Sequence, residues 1–403
     1  MGYRRAINAA RTVMGDGMQT TLDSILGRAT EDGRLPGVVA AVVDRDGVAY
    51  EGAFGVRSLE TGVVMSTDTV LRVASQTKSV VAVACLQAVE DGILNLDAPA
   101  SETIPSLGDV EVLEGFDEAG APILRSATTA MTLRHLLTHT SGSVYEFWNA
   151  DCARWLEATG HPDFMSGRVA TLDRPLAFDP GTDVAYGLGI DWAGRMLEEV
   201  TDRRLGEILA DRVLGPLGMT DTGYAATPSM DERMASVHFH TGDEFLPVPS
   251  MDSDWEFESG GANLMSTVGD FCRFMSMVLG DGELDGERIL RPETLAMACR
   301  NNIDDLQFIR ETSTNPMVSN DFEYLPGVPK TWGLGWVVNE EAAPSCRSPG
   351  SVFGAVLFNS WFWIDRTVGV GGMLATQVLP YFHPDAWDLY GQFETSVYDH
   401  LTS

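Results

Sequence analysis

Strand-forming runs stand near the two ends of this chain, and helix-like sequence fills most of the space between them. Residues 38–43 are an apolar run of mainly β-branched residues. The turn at Asp46 and Gly47 and the run 48–53 follow, and together they read as a β-hairpin. A third strand is expected at 70–73. Past residue 260 three β-like runs recur, at 334–338, 352–364 and 368–379. Between about 95 and 250 the pattern is helices and long loops, clearest at 131–137 and 190–200. Further helices are expected at 17–34, 267–279 and 384–401. A sheet that draws strands from both ends must accommodate what lies between them. The expectation is therefore a sheet domain from 1–80 and 260–403, a mainly helical lobe at 81–259, and a groove where they meet. A length of 403 residues suits two packed lobes.

Residues 76–91 are apolar nearly all round, with Val80, Val81, Val83, Ala84, Leu86 and Val89, and Gly92 is the expected stop. A helix with no wide polar face lies inside the protein. At its start stands Ser75-Gln76-Thr77-Lys78. Residues three apart share a helix face, so hydroxyl and amine can meet. The free N–H groups of a first turn favour an anion forming at Ser75. Burial disfavours the ammonium, which suits Lys78 to act as general base. The alternative is plain capping by Ser75, with Lys78 reaching for the surface. Two observations weigh against it. The helix offers no polar face to reach along. Lys78 and Lys330 are also the only lysines among 27 basic residues, and lysine, unlike arginine, can give up its proton.

Tyr186 follows the Pro180-Gly181 turn and precedes the helix at 190–200. A phenol near an ammonium is expected to have a lowered pKa and to relay a proton between Ser75, Lys78 and a leaving group. The alternative is a tyrosine that packs its ring and hydrogen-bonds its tip. His139, just after a helix, is read as ordering a loop rather than serving as a base. His238 and His240 alternate as two ligands on a strand would. They lack a third ligand of recognised spacing, so no metal is expected. No G-x-S-x-G elbow is present, which argues against an α/β-hydrolase. Lys330-Thr331 resembles part of a Lys-Thr-Gly motif, but Trp332 replaces the glycine, and the segment reads as a loop.

The formal charge of −31 argues against nucleic acid and anionic lipid as partners. Cys85, Cys152, Cys272, Cys299 and Cys346 are scattered, odd in number and without CxxC spacing, so neither disulfides nor zinc are indicated. No signal-like or membrane-spanning apolar stretch is seen, and a cytoplasmic, reduced protein is expected.

Taken in order, the residues resemble a known family. The landmarks are 71–78 ending in Ser75-Gln76-Thr77-Lys78, 91–97 (Asp91-Gly92-Ile93-Leu94-Asn95-Leu96-Asp97), 136–142 ending in His139-Thr140-Ser141-Gly142, 186–192 beginning Tyr186-Gly187-Leu188, and Gly333-Leu334-Gly335-Trp336. From about residue 18 to 400 the chain resembles the serine β-lactamase and penicillin-binding-protein superfamily. It looks closest to the class C β-lactamase-like carboxylesterases (family VIII esterases) and related acyltransferases. The resemblance implies an α+β fold, a five-stranded antiparallel sheet flanked by helices with an inserted all-helical lobe. It implies Ser75 as nucleophile, Lys78 as base partner and Tyr186 at the Tyr-x-Asn position. The amides of Ser75 and Leu357 would form an oxyanion hole, a one-residue slip giving Val356 instead.

Two departures stand out. Leu188 replaces the Asn of Tyr-x-Asn, which weakens lactam recognition more than catalysis. Gly354-Ala355-Val356 stands where the family has Lys-Thr-Gly or Trp-Gly-Gly. Tyr145, Trp148, Gly354, Ala355, Val356 and Phe358 are the candidate substrate-binding residues, with Phe147 and Trp361 as further candidate groove aromatics. The expected activity is hydrolysis of a small-molecule carboxylic ester through a Ser75 acyl-enzyme, without a cofactor. Acyl transfer to an alcohol, a β-lactamase or amidase activity, and a non-catalytic binding or sensing module are the alternatives.

Overall fold

The computed structural model describes residues 2–249 and 255–402. Its centre is a seven-stranded antiparallel sheet. The strands are β1 (Gly37–Asp44), β2 (Gly47–Gly55), β3 (Lys330–Trp332), β4 (Val337–Asn339), β5 (Val352–Val356), β6 (Ser360–Asp365) and β7 (Val370–Ala375). They lie in the order β3-β4-β5-β6-β7-β1-β2. The two ends of the chain meet where β1 pairs with β7, Val39 opposite Ala375 and Val43 opposite Gly371.

The run in β1 is continuous rather than alternating because both faces of the sheet are covered. Val39, Ala41 and Val43 point to one core, with Phe362, Ile364 and Met373. Val38, Ala40 and Val42 point to the other, with Trp361, Trp363 and Leu374. Helices α1 (Gly2–Glu31) and α6 (Pro384–Thr402) cover this second face through Leu22, Leu26, Leu389 and Phe393. The first face is covered by α2 (Thr77–Glu90) and α5 (Val268–Leu279). Every residue of α2 from Thr77 to Ala88 is buried, as its lack of a polar face requires, and Gly92 follows with φ of +71°. Between α2 and α5 lie α3 (Leu133–Leu137) and α4 (Gly189–Thr201), whose Leu133, Leu136, Ile190 and Leu197 join the same core.

The sheet has seven strands, not five. Lys330 to Trp332, read from sequence as a loop, is β3, and it pairs with β4. Strands of three residues are too short to show a period. The run 352–364 is two strands, β5 and β6, separated by a turn in which Asn359 has φ of +57°. The segment between α2 and α5 carries short hairpins as well as helices, at Glu111–Phe116 with Pro122–Ser126 and at His238–His240 with Phe245–Pro247. Among the described residues, no helix is long and apolar enough to cross a membrane.

Candidate active site

Ser75 sits in the 3-10 turn Ala74–Gln76 that leads into α2, and it is half-buried. The residue before it, Ala74, has φ of +30°, a strained value for a residue with a Cβ. One helical turn on, Lys78 is 3% exposed. Its amine lies 3.3 Å from Ser75 Oγ, 3.1 Å from Tyr145 Oη and 2.7 Å from the carbonyl oxygen of Gly261. The carbonyl can only accept, so one N–H is committed to Gly261. A neutral amine has one more N–H and a lone pair to divide between Tyr145 and Ser75. With the second N–H on Tyr145 Oη, the lone pair faces the serine hydroxyl. Burial pushes the Lys78 amine down to about 8, with the field of Asp191 opposing the fall.

Tyr186 is held by its backbone on both sides. Its N–H donates to Glu311 Oε1 at 3.1 Å, and the N–H of Gly187 donates to His139 Nδ1 at 3.2 Å. His139, just past α3, thus orders this loop as expected. It also carries φ of +58° and stays neutral, because burial and the nearby Lys78 drive its pKa well down. A Cβ on Gly187 would fall 1.9 Å from the Ser143 carbonyl oxygen, so the close approach of these loops requires glycine. The ring of Tyr186 lies under the Lys78 amine, 4.7 Å from nitrogen to centroid, and packs against His139, Trp148 and Trp332.

The phenol does not follow the expectation of a lowered pKa. Burial raises it well above the usual tyrosine value, more than a hydrogen bond with Ser75 lowers it. Tyr186 therefore holds its proton at neutral pH. It is suited to donate, and Lys78 to accept.

Two spaces lie at the Ala74–Ser75 turn, one bounded by Ser75 and the other by Ala74. A cavity of about 30 Å³, room for roughly one water, is bounded by Ser75, Lys78, Tyr186, Trp332, Gly354 and Ala355. On the side of Ala74 a groove of about 1000 Å³ is lined by Leu357, Phe358, Val237, Phe164 and Trp255 among others. Val356 is buried beside Phe358 and Val237. Tyr145 stands behind the lysine, 3% exposed, stacked on Phe147. Trp148 packs between Tyr145 and Tyr186. Trp361 lies on the sheet face covered by α6, 1% exposed, against Trp387 and Tyr390.

In β5 the Ser351 carbonyl accepts from Asn339 of β4, whereas the Val356 carbonyl accepts from Asn359 within the β5–β6 turn. Backbone groups alternate along a strand, so odd-numbered residues turn away from β6. Leu357 and Phe358 follow β5 in the turn to β6 and line the groove beside Ala74.

Sequence reasoning assigned no role to Glu311, Asp191 or Gly261. Glu311 is a buried carboxyl pushed up to about 7 by burial. Asp191, on α4, accepts from Ser259 Oγ and from the Gly261 N–H at 3.0 Å. These groups come from distant parts of the chain, and no local pattern marks them. His238 and His240, the pair that alternates in sequence, have different partners. His238 Nε2 accepts from the Leu59 N–H, while His240 Nδ1 and His383 Nε2 lie 2.8 Å apart. Lys330, the second lysine, is spent on the carbonyls of Val328 and Leu325.

The family model described as Beta-lactamase matches residues 22–394. Lovastatin esterase of Penicillium rubens is 30% identical over 94% of this chain and 98% of its own length. ML-236A carboxylate methylbutanoyltransferase of Penicillium citrinum is 28% identical, covering 96% of this chain and 95% of its own. Among solved structures, unliganded simvastatin synthase from Aspergillus terreus superposes with a TM-score of 0.83 at 27% identity, over 94% of this chain and 97% of that one.

Proposed function

This chain belongs to the Beta-lactamase family, and from that premise we propose that it cleaves carboxylic esters through an acyl-enzyme on Ser75. The observation that carries the reading is the desolvated Lys78 amine 3.3 Å from the Ser75 hydroxyl. Ser75 Oγ attacks the ester carbonyl carbon while its proton passes to Lys78 Nζ. The backbone amides of Ser75 and Leu357 hold the oxyanion, an interaction that commonly lowers the barrier by about 3 kcal/mol. As the C–O bond to the alcohol breaks, Tyr186 gives its proton to the leaving alkoxide and is reprotonated from Lys78. Water then attacks the acyl-enzyme, by the same relay in reverse.

Acyl transfer to an alcohol in place of water is the second reading. It is supported by the methylbutanoyltransferase relative and by a groove whose size, about 1000 Å³, exceeds what a short acyl chain fills. The relatives named above are an esterase and a methylbutanoyltransferase, which supports an ester or an acyl acceptor as the substrate class.

The test is intact-mass spectrometry after a fluorophosphonate or an activated ester, with p-nitrophenyl esters of graded length as substrates. A single adduct that maps to Ser75, and its loss with turnover in Ser75→Ala, are expected. No adduct on the folded protein would sink the proposal and favour a binding module. Adding candidate alcohols and recovering a transferred ester would move the reading to the second activity.

A further inference from the structure

Asp191 is 1% exposed, and its two carboxylate oxygens are used differently. Oδ1 accepts from the Ser259 hydroxyl and the Gly261 N–H. Oδ2 is buried with no hydrogen-bond partner among the described residues. Leaving a buried carboxylate oxygen unpaired is costly, even in the first turn of a helix, where a carboxylate is favoured. What the arrangement does determine is Gly261. That residue's N–H is fixed by Asp191, and its carbonyl is the nearest of the three groups around the Lys78 amine, at 2.7 Å. The fit leaves no slack, since a Cβ on Gly261 would lie 2.4 Å from Asp191 Oδ2 and 3.0 Å from Tyr145 Oη.

We propose that Asp191 is a positioning residue for Lys78. It acts through the Ser259–Gly261 turn to aim the Gly261 carbonyl at the amine, and its charge faces that amine across the same water-poor space. The inference rests on Lys78 being the proton acceptor of the reaction proposed above. Lys78 is faced by the Ser75 hydroxyl, the phenols of Tyr145 and Tyr186, neutral His139 and Asp191. Of these, Asp191 is the carboxyl group, and its field opposes the fall of the Lys78 pKa. Asp191 in turn acts on Lys78 and on the phenols of Tyr145, Tyr186 and Tyr224. Burial raises its carboxyl while Lys78, Ser259 and the Gly261 N–H hold it down. The pair thus sets how much free amine is present, and the carbonyl sets where its lone pair points.

The chain offers a direct readout, because Lys78 and Lys330 are its only lysines. Protein labelled with carbon-13 at the lysine side chain gives two signals to titrate by NMR. In Asp191→Asn the Oδ1 acceptor is retained and the charge is removed. The Lys78 midpoint is expected to move to lower pH by about one unit, with Lys330 unchanged, and the rising limb of kcat/KM to move with it. A folded Asp191→Asn protein whose Lys78 titrates as in the wild type overturns the inference. If that variant does not fold, Ser259→Ala serves. It keeps the carboxylate but removes a donor that partly satisfies it, so the Lys78 midpoint is expected to rise. An unmoved midpoint overturns the inference here too. Turnover that survives Ser75→Ala would instead defeat the acyl-enzyme reading and leave the NMR result standing, so the two failures are told apart.

Discussion

Replacing Lys78 by methionine is expected to abolish activity and yet leave the fold as stable or more so, with a pH signature that isolates the amine. Burial lowers the lysine from its ordinary 10.5 to about 8. Holding the charged form in that site therefore costs about 3 kcal/mol at neutral pH. Methionine fills the same channel without that cost. Against this, the Gly261 carbonyl and the Tyr145 hydroxyl lose their partner, a penalty of about 1–3 kcal/mol. The variant should accordingly be about 0–2 kcal/mol more stable near pH 7. The sign of the pH dependence follows from proton uptake. Between about 8 and 10.5 the unfolded lysine holds a proton that the folded one has released, so raising pH stabilises the wild type. Below about 8 both states are protonated and the cost is full. From about pH 7 to about pH 9.5 the wild type should gain about 2 kcal/mol relative to Lys78→Met. Urea unfolding of both proteins at the two pH values measures this, since the groups not coupled to Lys78, Lys330 included, cancel in the difference. Parallel stability curves would mean that Lys78 keeps an ordinary proton affinity in the fold, and the argument for it as base would fail.

Tyr186→Phe should keep the ring packed against His139 and Trp332 while removing the donor for the leaving group. A loss of about 100-fold or more is expected for alkyl esters and a much smaller one for p-nitrophenyl esters, whose leaving group needs no proton. Equal losses on both would refute a donor role. Arg347→Ala removes one half of a buried ion pair with Glu394, which also ties Tyr390 of α6 to the loop before β5. It should cost about 3–5 kcal/mol in urea unfolding, and a loss under about 1 kcal/mol would show that the pair does not hold this corner.

The sequence already brought Ser75 and Lys78 together because their encounter is local. Ser75 and Lys78 are one helical turn apart, and an all-apolar α2 ensures that the lysine is buried wherever the helix is placed. The union of strands from both chain ends was readable for a related reason. An apolar run such as residues 38–43 must be covered on both faces, and too few strands lie between for a sheet built from the middle. The short strand β3 was not readable, because three residues show no period and pairing alone makes them a strand. Nor could sequence decide the direction of the Tyr186 shift. Nearness to an ammonium argued downward, and only the tertiary burial of the ring showed desolvation to be the larger effect. Asp191, Gly261 and Glu311 belong to the same class. Each reaches the site through contacts between residues from about 70 to 183 positions apart in the chain. Such contacts depend on how the segments pack, which no local pattern encodes.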